Sequence, residues 1–159
     1  MNKLLIILLI ASCSKPIAET KMERITQEEG NPIIELQEIE IRRTSTIAND
    51  FNNPGCIRPG NPKLDALAIG WCNTTNGKFL VFDLPDHGFM ALQIWIRDRA
   101  KWVLSKAIKV YAPKEDKNNP TAYINKLCSN IGCTPSTKLE DINEMQLISA
   151  IAEKEGFNN

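Results

Sequence analysis

The stretch AIAEKEGFNN, which closes the sequence, places a carboxylate where it could do acid–base chemistry. Glu155 follows Ile151 by four residues and Ile148 by seven, so the three side chains share one face of a helix. This face is apolar, and the C-terminal end of a helix disfavours negative charge. Burial and the helix dipole therefore both favour the protonated carboxyl. Such a group can act as a general acid, and glycoside cleavage needs a proton donor for its leaving oxygen. The alternative is an ordinary chain end that frays into water.

A second candidate for chemistry is Arg58, which stands between Ile57 and Pro59. Its guanidinium could bind a substrate carboxylate or lactyl group through two parallel hydrogen bonds. It could equally pair with Glu155 or with Asp83 as part of the structure. A direct pair with Glu155 would favour the charged carboxylate and weaken the acid role.

Asp83, Asp86 and His87 form a further cluster of titratable groups. A second carboxylate at a suitable separation would serve an inverting glycosidase, but Asp86 as a helix N-cap is the simpler interpretation. A Ser-His-Asp hydrolase is not indicated because no G-x-S-x-G occurs, and neither a phosphate loop nor a dinucleotide fingerprint is present. Lys plus Arg equals Asp plus Glu at 19 each, so nothing indicates a nucleic-acid partner.

The elements that must position these residues follow from apolar spacing and turn signals. Residues 49–77 are rich in Asn, Gly and Pro and predict turns. The periodicity predicts a strand over 78–84, a helix from Asp86 to Val103, a helical turn over 105–110, a helix over 121–130 and a last helix that leads to Glu155.

The helix ends carry recognisable signals. Asn119 and Pro120 are typical of an N-cap and a first helical position, and Gly132 suits a C-terminal stop. Asp141 and Glu144 form a capping-box pattern before the last helix.

The start of the sequence predicts export. Residues 1–12 have the short apolar run of a signal peptide. Ile10-Ala11-Ser12-Cys13 resembles the bacterial lipobox, which implies a lipidated, palmitate-type Cys13, and Ser14 resembles the outer-membrane pattern. We therefore expect a lipoprotein anchored in the outer membrane and facing the periplasm. The alternative is a secretory signal with an incidental cysteine.

Residues 13–48 are expected to form the lipidated N-terminus and a tether, and residues 49–159 the domain. Within the tether, IIELQEIEIRR alternates apolar and charged residues, and could be an edge strand or a short helix. The segment could serve as a spacer from the membrane or as an N-terminal strand of the domain.

Apart from Cys13, four cysteines follow the export signal, and an even number in an exported chain suggests two disulfides. Short loops close with less loss of entropy, which favours Cys56–Cys72 and Cys128–Cys133 among the three possible pairings. A zinc site is the alternative. No C-x-x-C is present and His87 is the only histidine, so we expect no metal, and no organic cofactor is implied.

The two ends of the predicted domain together resemble a motif of lysozyme-like lytic transglycosylases. In that family the catalytic Glu ends a helix and is followed closely by a small residue and Phe-Asn-Pro. Here Glu155-Gly156-Phe157-Asn158 supplies the first part, and Phe51-Asn52-Asn53-Pro54 supplies the second. A circular permutation would leave this pattern, and neighbouring termini make such a rearrangement possible. The segment YAPKEDKNNPTAYI also resembles the transglycosylase loop that borders the glycan groove.

Five ordered blocks between Phe51 and Gly156 resemble a family of phage and prophage proteins. They are FNNPGCIRPG, GWC, KFLVFDLPDHGFMAL, YAPKEDKNNPTAYINKL and AIAEKEG. The family pattern opens with Asn-Asn-Pro-Gly-Asn-Ile-Arg and closes with Ala-Ile-x-x-x-Glu-Gly, and its members are associated with phage particles or with peptidoglycan degradation. Cys56 stands where the family has Asn, and Phe89-Met90 where it has Ile-Arg.

These resemblances imply a fold and a set of roles. The fold would be lysozyme-like, α+β and mainly helical, with a small strand-and-turn region. Glu155 would be the acid and base. Asn53 and Arg58 would lie beside it, Tyr111 and Tyr123 would line the cleft, and these four residues would bind substrate. The implied function is cleavage of peptidoglycan glycan strands, by a hydrolase or a lytic transglycosylase. The alternatives are a non-catalytic lipoprotein that binds cell wall or inhibits a hydrolase, and a phage structural or lysis accessory protein.

Overall fold

The computed structural model describes residues 36–158. This part of the chain is α+β and mainly helical, with one small antiparallel sheet, as the sequence predicts. The signal peptide, Cys13, tether residues 13–35 and Asn159 lie outside the described residues. Within residues 36–158, none of the helices combines the length and the apolar character that a membrane crossing requires.

The described elements follow one another along the chain with short connections. In chain order they are α1 (Ile47–Asp50), α2 (Pro62–Asp65), β1 (Gly70–Thr74), β2 (Gly77–Val81), α3 (Pro85–Arg97), α4 (Leu104–Tyr111), α5 (Pro120–Ile131) and α6 (Glu144–Lys154). Short 3-10 turns at Lys114–Asp116 and Leu139–Asp141 precede α5 and α6.

The sheet is a hairpin of β1 and β2, with Trp71 opposite Leu80. The sequence predicts β2 but not β1, whose residues GWCNT lie in the turn-rich segment. Gln37 and Ile39 exchange backbone hydrogen bonds with Trp71, at 3.0 and 2.7 Å. Of the two interpretations of this segment, the strand-like pairing is therefore the observed one. Residues 36–48, expected to belong to the tether, contact the body of the domain, and Ile39 is buried there.

The helix ends agree with the sequence at α5 and differ at α3 and α6. The Asn119 side chain accepts from the Ala122 amide at 3.0 Å, and Gly132 ends α5 in the left-handed conformation, as predicted. The predicted caps at Asp86 and Asp141 are wrong. Helix α3 starts one residue earlier, with Pro85 in its first turn, and Asn143 caps α6 because its side chain accepts from the Gln146 amide.

The four long helices enclose the main core, in which α5 packs between α4 and α6. Its fully buried centre includes Leu92, Leu104, Leu127 and Leu147, one from each helix. A second apolar cluster joins the sheet to the start of the domain and contains Ile39, Phe51, Cys72, Phe79 and Val81. The segment that links the two clusters, residues 52–58, is where the candidate site lies.

Candidate functional site

The C-terminal tail docks on the start of the domain. The Gly156 carbonyl accepts hydrogen bonds from Thr46 Oγ1 at 3.0 Å and from Asn49 Nδ2 at 3.3 Å. The Asn158 amide donates to Asn49 Oδ1 at 2.9 Å. The two ends of the described domain therefore meet, and the carboxylate at the end of α6 is held beside the opening turn.

Glu155 forms the C-cap of α6 and is half-buried. The Tyr123 hydroxyl donates to its Oε1 at 2.7 Å. The Cys56 thiol lies beside the same carboxylate, and burial together with that negative charge raises the pKa of Cys56. The carboxylate is thus placed among neutral donors and does not fray into water.

Two tyrosines continue this cluster inward. Tyr123 is almost fully buried, and burial followed by the Glu155 charge raises its pKa. The Tyr111 ring packs edge-on against it, with centroids 6.0 Å apart, and the Tyr111 hydroxyl donates to the Gly55 carbonyl. Burial also raises the pKa of Tyr111 well above its usual value. Both phenols therefore stay protonated and serve as hydrogen-bond donors.

Cys56 has a backbone φ of 44°, in the left-handed region that few residues other than Gly and Asn enter readily. Strained backbone of this kind concentrates at functional sites. Because its pKa is raised, the Cys56 thiol is poorly suited to act as a nucleophile or a metal ligand.

Neither predicted disulfide is formed in the structure. Cys56 and Cys72 are both free and contribute to the same small apolar cluster. Cys128 and Cys133 are also free, with sulfur atoms 3.4 Å apart, longer than the roughly 2.05 Å of a disulfide bond. Burial and the neighbouring Cys128 raise the pKa of Cys133 to about 11.

Asn53, expected to bind substrate, is instead fully buried and braces the opening turn. Its Nδ2 donates to the carbonyls of Ile57 and Leu80, each at 2.9 Å. Its Oδ1 accepts from the Ile57 amide at 2.8 Å. Both amide protons are used inside the protein, so this side chain positions the turn and is not open to a ligand.

Arg58 pairs with neither acid considered from the sequence. Its Nη2 contacts Asp116 Oδ2 at 3.0 Å and the Asn76 carbonyl at 2.9 Å, and its guanidinium lies over the Phe79 ring. Arg58 is therefore not an ion-pair partner of Glu155 in the described part of the chain.

A groove of about 220 Å³ opens beside the tyrosine cluster. Cys56 and Tyr111 are among its lining residues, Arg58 and Arg99 contribute cations, and Leu64 and Trp95 supply apolar surface. We call it the arginine groove. Cys56 and Tyr111 belong to both the groove and the Glu155 cluster, and so connect the two.

Arg99 is not among the site residues that the sequence predicts, although its position in the chain is unusual for a cation. It falls in the apolar stripe at helical spacing, where a cation is unexpected. Helix α3 ends at Arg97, so Arg99 lies in the turn that follows, and its guanidinium stacks 4.2 Å from the centre of the Trp95 ring.

The remaining acidic candidates stay at the surface. Asp83 Oδ1 contacts His87 Nδ1 at 2.6 Å at the start of α3, and this hydrogen bond lowers the pKa of Asp83. Asp86 lies in the first turn of the same helix. Within residues 36–158, no group of three or more His, Cys, Asp or Glu side chains is arranged to hold a metal ion.

The structure thus brings Glu155, Tyr123 and Tyr111 together, directs Asn53 into the core and ties Arg58 to Asp116.

Compared with known proteins, the chain matches no protein-family model, and no curated protein matches it either.

Proposed function

We propose that this protein cleaves the glycan strands of peptidoglycan, with Glu155 as acid and base in a lysozyme-like domain. The observation that carries the proposal is the Tyr123–Glu155 hydrogen bond at the place where the tail meets the opening turn. A fixed, half-buried carboxyl beside a groove is the arrangement that proton transfer to a sugar oxygen requires.

The roles within the cluster follow from the hydrogen-bond directions. Tyr123 donates to Oε1, which leaves Oε2 as the oxygen that carries the transferable proton. That proton passes to the glycosidic oxygen as its bond to the anomeric carbon breaks, and the sugar takes on oxocarbenium character. The carboxylate then removes a proton from the incoming hydroxyl. This hydroxyl is water in a hydrolase, or the sugar's own 6-hydroxyl in a lytic transglycosylase.

The cellular setting is part of the same proposal. A lipid on Cys13 would anchor the chain in the outer membrane, with the domain in the periplasm, where peptidoglycan is its substrate. Acyl chains hold a protein at a bilayer by burying methylenes, each worth about 0.8 kcal/mol. Labelling with a fatty-acid probe, with Cys13→Ser as the control, tests the anchor separately from the activity.

Zymography on purified sacculi tests the proposed cleavage. Wild type should clear the substrate and Glu155→Gln should not, because the amide cannot donate the proton. Glu153→Gln is the matched control, since Glu153 is an exposed residue of the same helical turn. Clearing by Glu155→Gln would remove the assigned acid.

A non-catalytic lipoprotein that binds cell wall is the second candidate. The observation that favours it is the lining of the arginine groove, which among the described residues includes Cys56 and Tyr111 but not Glu155. Co-sedimentation with sacculi, without clearing by either wild type or variant, would support this function over cleavage.

A further inference from the structure

The guanidinium of Arg99 is fixed by aromatic rings. It lies 4.2 Å from the Trp95 ring centre and 5.6 Å from that of Trp102, and its Nη1 donates to the Trp95 carbonyl at 3.0 Å. Stacking of this kind orients the planar fork before any ligand arrives. The side chain is half-buried, so little freedom remains to be lost on binding.

The positive charge of Arg99 has no ion-pair partner among residues 36–158. The adjacent acid, Asp98, is already bound by Lys63 Nζ at 2.9 Å. The Arg99 Nε is buried without a hydrogen-bond acceptor in the described part of the chain. Burial lowers the pKa of Arg99, which reflects the cost of holding an unpaired cation away from water.

Two other arginines near Arg99 are already paired with carboxylates. Arg58, which also lines the arginine groove, is paired with Asp116 at 3.0 Å. Arg97, two residues earlier, forms a bidentate pair with Glu144. Arg99 is therefore the groove residue whose charge is best placed to attract an added anion.

The shape of the groove limits the size of that anion. Its volume of about 220 Å³ is below the roughly 300–1,000 Å³ of sites for drug-sized ligands. Leu64 and Trp95 give it apolar surface, and residues 59–61 also contribute to its lining. One sugar ring or one amino-acid residue with a carboxylate matches both the size and the mixed surface.

We propose that the arginine groove binds a small carboxylate-bearing group, with Arg99 as the principal contact and Arg58 at its edge. The carboxylate would accept hydrogen bonds from the guanidinium, and the body of the group would cover Leu64 and Trp95. Binding in the groove does not require cleavage at Glu155, so this inference stands or falls separately from the proposed function.

Titration followed by NMR tests the proposal with three probes. N-acetylmuramic acid carries a carboxylate on a sugar, N-acetyl-D-alanyl-D-alanine carries one on a peptide, and N-acetylglucosamine is the sugar without the carboxylate. At least one acid should shift the Arg99 Nε–H and Trp95 indole signals with a Kd of about millimolar. The neutral sugar should not. The acid that binds more tightly identifies a sugar-borne or a peptide-borne source.

Variants separate the role of Arg99 from folding. Arg99→Gln should weaken acid binding about tenfold or more, the loss expected for a charge-assisted hydrogen bond. Arg99→Lys keeps the charge without the planar fork and should retain part of the affinity. Arg97→Gln is the matched control, because Arg97 is exposed and outside the groove lining. Circular dichroism of each variant reports whether the fold is intact.

Three results would overturn the proposal. They are equal binding of N-acetylglucosamine and the acids, no shift with any acid at about 10 mM, and unchanged affinity in folded Arg99→Gln or Arg99→Lys. Glu155→Gln should bind the acids like wild type. A wild-type protein that binds the acids but does not clear sacculi would refute the proposed cleavage and leave the binding proposal standing.

Discussion

The hydroxyl of Tyr123 donates a hydrogen bond of 2.7 Å to Oε1 of Glu155, across 32 residues of sequence. Tyr123 lies in the first turns of α5, and Glu155 caps the end of α6, so the bond links two helices that pack side by side. A buried phenol with a raised pKa stays a donor over the physiological pH range. The orientation of the Glu155 carboxyl is therefore set by a partner that does not titrate there.

Removal of this donor should reduce glycan cleavage and leave the fold intact. We expect Tyr123→Phe to lower the rate about tenfold or more, because one hydrogen bond to a charged group contributes about 1.5–3 kcal/mol. The rate is measured as soluble product released from sacculi.

Tyr111→Phe is the matched control, because Tyr111 donates to the Gly55 carbonyl and not to Glu155. It should lose less activity than Tyr123→Phe. Equal losses in the two variants would show that the tyrosines act through general packing, and the positioning role of Tyr123 would be given up.

Asn53→Ala should destabilise the protein, because the buried Leu80 carbonyl and Ile57 amide lose their side-chain partner, whereas the Ile57 carbonyl still accepts from the Leu80 amide at 2.9 Å. Each such unsatisfied group costs about 1–3 kcal/mol, so we expect a loss of about 2 kcal/mol or more. Urea denaturation measures it. Asn73→Ala, at an exposed position of β1, should change the free energy of unfolding by less than about 0.5 kcal/mol. A stable Asn53→Ala variant with weakened glycan binding would restore Asn53 as a ligand residue.

Gly88→Ala should also destabilise the protein, although alanine is the better helix former. A Cβ at Gly88 would overlap the Asn52 carbonyl oxygen and lie 2.6 Å from Pro54 Cδ. The propensity gain of about 1 kcal/mol is opposed by overpacking of typically 1–3 kcal/mol against backbone that cannot yield easily. Thermal unfolding should show a lower Tm for Gly88→Ala and little change for Met90→Ala, an exposed residue of the same helix. A higher Tm for Gly88→Ala would mean that α3 does not sit this close to the opening turn.

Glu144 should make stability depend on pH in the acid range. Its carboxylate binds Arg97 and the Gln93 amide, and the hydrogen bond from Arg97 lowers the pKa of Glu144. The stabilisation is therefore complete above the ordinary value of 4.5 and is lost as pH falls through the lower folded value. We expect Glu144→Gln to unfold more easily than wild type at pH 7, and the difference should vanish at low pH. A difference that is constant down to the lowest pH would argue against this charge effect.

Local signals made much of the helical framework predictable. The ends of α5 are set by local residues. Asn119 is the N-cap, Pro120 occupies the first turn, and Gly132 adopts the left-handed conformation that ends the helix. Asn143 and Asp141 are both capable caps, and the choice between them depends on how α6 packs, which spacing alone does not reveal. The sequence does not predict strand β1, because Gly70 and Asn73 are poor strand formers and the strand is stabilised by β2 and by the distant residues 37–39.

The site was predictable only in part. The two halves of the transglycosylase-like motif, at Glu155–Asn158 and Phe51–Pro54, predict that the tail meets the opening turn, and this contact joins residues more than a hundred positions apart. The motif gives no information on which side chains face inward. The Asn53 side chain is buried in the core, and Arg58 forms an ion pair with Asp116. Both outcomes depend on neighbours in three dimensions that the sequence does not reveal. The stacking of Arg99 on Trp95 likewise depends on the turn after α3.

The most direct test of Glu155 as the proton donor is the rate of release of soluble glycan fragments from purified sacculi. This rate is measured for wild type, Glu155→Gln and Glu153→Gln. A general acid contributes about 10²–10⁴-fold, so Glu155→Gln should fall by that factor while Glu153→Gln stays within about twofold of wild type. If wild type releases fragments and folded Glu155→Gln releases them at the same rate, the assignment of Glu155 as the proton donor is contradicted.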